Sequence, residues 1–128
     1  MRLLLDTHLA VWWLIRGKRV PAVARTLIEN TADSAFISRV SLWEMAIKIS
    51  TGKLDIDLPR FIDQAEASGF EWLDIKNEHI LSLATLPTFD DHRDPFDRLL
   101  VAQSRSEPLV LLTADAKLAR YGETVRVV

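Results

Sequence analysis

The run Leu3-Leu4-Leu5 ends abruptly in Asp6-Thr7, and no other stretch narrows the possible folds as much. A strand of consecutive leucines is apolar on both faces, so it belongs in a parallel sheet covered by helices on either side. Open sheets of that kind place their chemistry just past the C-terminal strand ends. Asp6 falls at such an end.

The rest of the chain alternates as such a sheet demands. His8 to Ile15 reads as a helix closed by Arg16-Gly17, apolar nearly all round and so buried on more than one side. Pro21 opens a second helix, in which Val20, Val23, Ala24, Leu27 and Ile28 fit the spacing of one buried face. Ser34–Ser38 is a second strand, and a third helix runs roughly from Arg39 to Ser50, ending near Gly52. Leu58, Phe61, Ile62 and Ala65 mark a fourth helix stopped by Gly69; the alternating segment Phe70–Ile75 is a third strand. Asn77 to Leu86 is a fifth helix, halted by Pro87. After the charged loop Phe89–Arg93, Asp94 caps a sixth helix with Pro95 at its first position. Leu109–Leu112 is a fourth strand, a seventh helix spans roughly Ala116 to Tyr121, and Val125–Val128 is a last strand. Strand and helix alternate throughout, which gives one α/β domain over residues 1–128 with right-handed crossovers.

Composition limits what this domain does. The 128 residues carry a net charge of −2, which argues against holding nucleic acid by bulk charge alone. There is no cysteine, hence no disulfide, thiolate nucleophile or zinc–thiolate site. The chain starts on a strand with no signal peptide and holds no apolar run long enough for a bilayer, so the expectation is a cytoplasmic protein with no membrane contact.

Four acids stand where acids are costly or exposed to a crevice. Asp6 and Asp115 each follow an apolar strand. Glu44 lies in an apolar stripe with Val40, Trp43 and Ile47, an expensive place unless it is paired or metal-bound. The bland alternative is a capping box between Ser41 and Glu44. Asp97 sits in the first turn of its helix, where the dipole favours an acid, yet Asp94 already supplies the cap. Crowded carboxylates need a cation, and oxygen-only donors suit Mg²⁺ or Mn²⁺. Such an ion activates water and steadies a phosphate displacement. No Gly-rich phosphate loop and no nucleophile elbow offers another route. Of the histidines, His79 reads as structural, while His8 and His92 flank the crevice as weaker candidates for chemistry.

The segments Leu4–His8, Ser41–Glu44, His92–Leu100 and Leu112–Asp115 together resemble the PIN-domain family, and more narrowly the VapC-type ribonuclease toxins of prokaryotic toxin–antitoxin pairs. The resemblance covers essentially the whole chain. It implies a five-stranded parallel sheet in the order 3-2-1-4-5 with helices on both faces. It implies a Mg²⁺ or Mn²⁺ site in which Asp6, Glu44, Asp97 and Asp115 are the catalytic acids, Asp6 and Asp97 the direct metal ligands. Asp94, Thr7 and Thr113 are supporting candidates. It also implies an RNA substrate, a homodimer and a cognate antitoxin that blocks the groove.

Arg39, Lys48, Arg93, Arg98 and Lys117 lie near the acidic motifs and are candidates for phosphate contacts. Trp12, Trp13 and Trp43 have helical spacing, which favours core or dimer packing over base stacking. The over-apolar first helix, Leu9–Ile15, points to a homodimer that uses part of it and possibly the fifth helix. The rival readings fare worse. A haloacid-dehalogenase-type phosphatase wants an aspartate two residues after the first, where this chain has His8. A receiver domain wants paired acids at the first strand and a lysine after the last. A non-catalytic nucleic-acid-binding module has no use for acids that repel phosphate. A structure-specific DNA nuclease of the same family carries an extra clamp for which this chain is too short.

Overall fold

The computed structural model describes residues 1–15, 19–31 and 34–128. Its centre is a parallel five-stranded sheet in the order β3-β2-β1-β4-β5. The strands are β1 (Arg2–Leu5), β2 (Ser34–Ser38), β3 (Glu71–Leu73), β4 (Val110–Thr113) and β5 (Val125–Val127). Strand β1 lies in the middle, with Leu4 level with Phe36 of β2 and Leu111 of β4. The triple leucine accounts for that position, because only a central strand covered on both faces hides all three side chains.

The pleat sends alternate residues to opposite cores. Leu3, Leu5, Ile37 and Leu112 pack with α1 (Thr7–Leu14), α2 (Ala22–Thr26), Met45 of α3 (Arg39–Ser50) and Phe61 of α4 (Leu58–Ala67). Leu4 and Leu111 pack on the other side with Leu99 to Ala102 of α6 (Pro95–Ser106), Leu118 and Tyr121. The helix α5 (Asn77–Ala84) packs mainly against α6. Leu3, Leu4 and Leu5 are wholly buried, each worth about 2 kcal/mol of burial.

Several local expectations change in three dimensions. The second helix is α-helical only from Ala22 to Thr26, then widens into a π-turn over Leu27–Thr31. Val23 is turned out to solvent, while Val20, Ala24 and Leu27 are buried. The segment Ala116–Tyr121 is a 3-10 helix rather than an α-helix, as suits a six-residue piece. Gly69, at φ +84°, ends α4 in the left-handed conformation that lets the chain turn into β3. The Arg16-Gly17 stop lies outside the described residues.

Candidate active site

Each candidate acid is placed by a helix terminus or a strand end. Asp6 leaves β1 and caps α1, its Oδ1 accepting from the Leu9 N–H at 2.8 Å. Its Oδ2 accepts from the Thr113 hydroxyl at the end of the neighbouring β4. That hydroxyl oxygen also accepts from the Asp115 N–H at 3.0 Å, and Asp115 in turn caps the 3-10 helix through Lys117 N. Thr113 thus ties the two strand ends together. Asp6 and Asp115 line one open pocket with His8, Trp12 and Ala114, which meets the expectation of a shared crevice.

Glu44 enters from α3. The cap of that helix is Ser38, whose Oγ accepts from Val40 N, so the Ser41–Glu44 capping box does not form. The apolar stripe also divides: Val40, Ser41, Glu44 and Met45 are buried, whereas Trp43 is 52% and Ile47 39% exposed. Glu44 is buried for its contacts. Thr7 Oγ1 donates to its Oε1 at 2.6 Å, and the Lys48 ammonium sits 2.8 Å from its Oε2. Ser41 Oγ lies 2.9 Å from the same Thr7 hydroxyl.

Asp97 enters from α6. Asp94 caps that helix, its Oδ1 accepting from Phe96 N and Asp97 N at 2.8 and 2.9 Å. The acids act on one another across this space. Burial, then the charges of Asp94, Glu44 and Asp6, push the Asp97 carboxyl up to about 6, against a contact from His92 that pulls it down. Burial is also the main cause raising the Asp6 carboxyl, and Glu44 adds to it, while Thr113 and Leu9 oppose. The Lys48 ammonium is held up first by Glu44, with Asp94 and Asp97 contributing. Three elements therefore bring Asp6, Glu44 and Asp97 within electrostatic reach, with Asp115 on the shared rim.

His92 is closer to the acids than its place in a charged loop suggests. Its Nε2 lies 3.3 Å from Asp97 Oδ2 and its Nδ1 2.8 Å from the Tyr121 hydroxyl. One ligand atom from each of His92, Asp97 and Asp115 lies within 4.8 Å of the other two. Tyr121 was invisible to local patterning, because it meets His92 from 29 positions away. Lys48 was legible as the i+4 partner of Glu44, the spacing of a helical ion pair. His79 is structural as expected, buried between Lys76 N, Gln103 and Glu107.

The basic candidates separate. Arg39 pairs with Asp74 at 3.1 Å and lies over Trp72. Arg98 donates to the Pro87 carbonyl at 2.8 Å and to the Tyr121 hydroxyl at 3.3 Å. Both have partners within the fold, Arg39 through a largely exposed ion pair. Arg93 is exposed beside Asp90, Lys48 faces the acids, and Lys117 is exposed. Trp12 and Trp13 are half-buried against the core of α1, but Trp43 is not a core residue; it stands on the surface edge-on to Phe96 at 4.9 Å.

The oxygen-rich donor set suits a hard divalent cation. Within the described residues Lys48 is the one ammonium paired with these acids, which leaves Asp97 without a matching cation.

Known proteins share this fold. Residues 3–124 match the family model for the PIN domain. The chain is 26% identical over 127 residues to "Ribonuclease VapC22" of Mycobacterium tuberculosis, covering 92% of this chain and 90% of that protein. Among solved structures it resembles VapBC2 from Rickettsia felis, bound to a DNA fragment from its promoter. That match has a TM-score of 0.72 at 17% identity and covers 100% of this chain and 98% of the other. The DNA-bound VapBC from Salmonella typhimurium gives 0.68, also at 17% identity, over 100% and 97% of the two chains. The match to the family model spans nearly the whole sequence and agrees with the strand order, so the chain belongs to the PIN domain family.

Proposed function

We propose that this protein is a Mg²⁺- or Mn²⁺-dependent endoribonuclease, the toxin of a toxin–antitoxin pair. The observation that carries the reading is the convergence of Asp6, Glu44 and Asp97, buried enough and close enough to hold Asp97's carboxyl near pKa 6. Such repulsion costs stability, and clusters that carry it are concentrated at functional sites. The ribonuclease name of the mycobacterial relative supports the reaction, and the VapBC neighbours support an antitoxin partner.

Asp6 and Asp97 are the direct ligands in this reading, with Glu44 and Asp115 completing the acidic set. The bound ion supplies an activated water and charge stabilisation for an in-line phosphodiester displacement. Thr113 fixes the orientation of Asp6, and Thr7 that of Glu44. Asp94 holds the first turn of α6, and so Asp97, in place. Lys48, Arg93 and Lys117 are the cations available to hold phosphates of the RNA. A homodimer would use Ile80 and Leu81 of α5, which are 48% and 69% exposed. Of the apolar Leu9–Ile15 segment, Leu9, Ala10 and Val11 are buried in their own chain, so Trp12 to Ile15 are the residues left to contribute. Light scattering at micromolar concentration gives twice the chain mass in this reading.

The deciding experiment incubates purified protein with single-stranded and stem-loop RNA in Mg²⁺, Mn²⁺ or EDTA. Cleavage with either ion that stops in EDTA is expected. Cleavage undiminished by EDTA, or RNA left intact in both ions, overturns the reading.

A further inference from the structure

Tyr121 and Arg98 have no part in the chemistry above, yet they lead directly to it. Tyr121 is 1% exposed and His92 6% exposed, so every polar atom of the pair must find its partner inside the protein. The Arg98 guanidinium reaches the Tyr121 hydroxyl at 3.3 Å, and a guanidinium can only donate. The phenol oxygen is therefore an acceptor towards Arg98. Among the described residues its single proton has one other atom to meet, His92 Nδ1 at 2.8 Å. If that proton goes to Nδ1, a neutral imidazole carries its own proton on Nε2, the nitrogen 3.3 Å from Asp97 Oδ2. The reverse arrangement leaves the phenol proton without an acceptor and turns a nitrogen lone pair towards a carboxylate, both costly in a buried place.

We infer that Arg98, Tyr121 and His92 form a one-way hydrogen-bond relay that makes His92 an Nε2–H donor and aims the Asp97 carboxylate. His92 is then a positioning residue and not a metal ligand. It engages Oδ2, and Oδ1 has no hydrogen-bond partner among the described residues and is left for a cation. The relay is packed in by its neighbours. The Tyr121 ring meets His92 and Phe89 edge-on at 5.4 and 5.2 Å, and Arg98 also anchors on the Pro87 carbonyl. The consequence for metal affinity rests on the nuclease reading; the direction of the relay does not.

Nitrogen-15 NMR tests the relay without metal. Spectra of full-length protein in EDTA are recorded at about pH 8, where an ordinary imidazole is neutral, and His92 is assigned by its absence from His92→Gln. The relay requires the proton on Nε2 and a bare Nδ1; a proton on Nδ1 overturns it. Tyr121→Phe keeps the ring and removes only the hydroxyl. It is expected to mix the two tautomers and to weaken Mn²⁺ binding by less than the about 10- to 100-fold that follows loss of a group bonded directly to a ligand, the loss expected for His92→Ala. His92→Gln, which keeps an N–H donor, retains more Mn²⁺ affinity than His92→Ala. Unchanged Mn²⁺ affinity in Tyr121→Phe, or nitrogen hyperfine coupling from His92 to bound Mn²⁺, overturns the positioning role. A wild-type protein that binds no Mn²⁺ sinks the metal-nuclease reading instead, while the tautomer measurement still decides the relay.

Discussion

Glu44 on α3 and Asp97 on α6 belong to one group of interacting acids, and the more buried of the two is the one with an ammonium against it. Glu44 keeps 3% of its side-chain surface but holds an ammonium and a hydroxyl. Asp97 keeps 23%, yet burial and three like charges lift its carboxyl to about 6. For Asp97 burial is the first cause and like charge the second, and no ammonium of the described residues stands against them as Lys48 does against Glu44. Among the described residues the α3 side of the site carries its own ammonium, and the α6 side carries none.

Substitutions can break this contrast, and the largest effect is on chemistry. Asp97→Asn should reduce RNA cleavage roughly a thousandfold, the equivalent of about 4 kcal/mol of lost transition-state stabilisation. Initial rates on a defined RNA check it, and a loss under tenfold would mean that the cation does not depend on α6. In stability the same change works the other way. Removing the charge should stabilise the protein in EDTA by at most about 3 kcal/mol at neutral pH. The sign follows from linkage. A carboxyl raised above its ordinary 3.8 disfavours the fold once ionised, so the gap between mutant and wild type is full above pH 6. It closes as pH falls from 6 towards 3.8. Denaturant melts at several pH values measure it, and a gap that widens on acidification contradicts the assignment. Mg²⁺ at a hundredfold excess over its dissociation constant should stabilise wild type by about 2.7 kcal/mol and Asp97→Asn by much less.

Lys48→Met sharpens the other side. Glu44 loses its ammonium while still buried, at a cost of about 1–3 kcal/mol given that Lys48 is one-third exposed. Mg²⁺ should then rescue this variant more than it helps wild type, because the ion takes over the neutralisation. Equal Mg²⁺ shifts in the two proteins would separate Glu44 from the metal. The smallest effect is expected for Thr7→Val, which removes one hydroxyl donor from Glu44 and should cost about 1 kcal/mol in thermal melts.

Sequence carried the architecture because its signals are local. The Leu3–Leu5 run, Pro95 behind Asp94, and Gly69 after α4 each act within a few residues, and each does in the structure what its chemistry requires. The four acids were legible for a related reason: each breaks a pattern that would be simpler without it. What local reading missed depends on distant neighbours. Trp43 shares a helical stripe with Val40 but stands outside, because the inward arc of α3 is filled by Val40, Ser41, Glu44 and Met45. Ser38 displaced Ser41 as the cap since β2 runs straight into α3. The His92–Tyr121–Arg98 contacts join a loop, a 3-10 helix and α6, which no spacing rule connects.

Asp6 is both a candidate ligand and the cap of α1, its Oδ1 closing the first turn on Leu9 N. Asp97 caps nothing; Asp94 does that for it. Inactivating changes at the two positions therefore have different fates in a growing culture. Asp6→Ala uncaps a helix at about 1 kcal/mol and lowers the folded population along with activity. Asp97→Asn removes activity while leaving a chain that folds at least as well. In a selection for cells that survive expression of this protein, escape through Asp6 should yield colonies with scarce protein. Escape through Asp97 should yield colonies full of it, still able to titrate whatever partner recognises the fold.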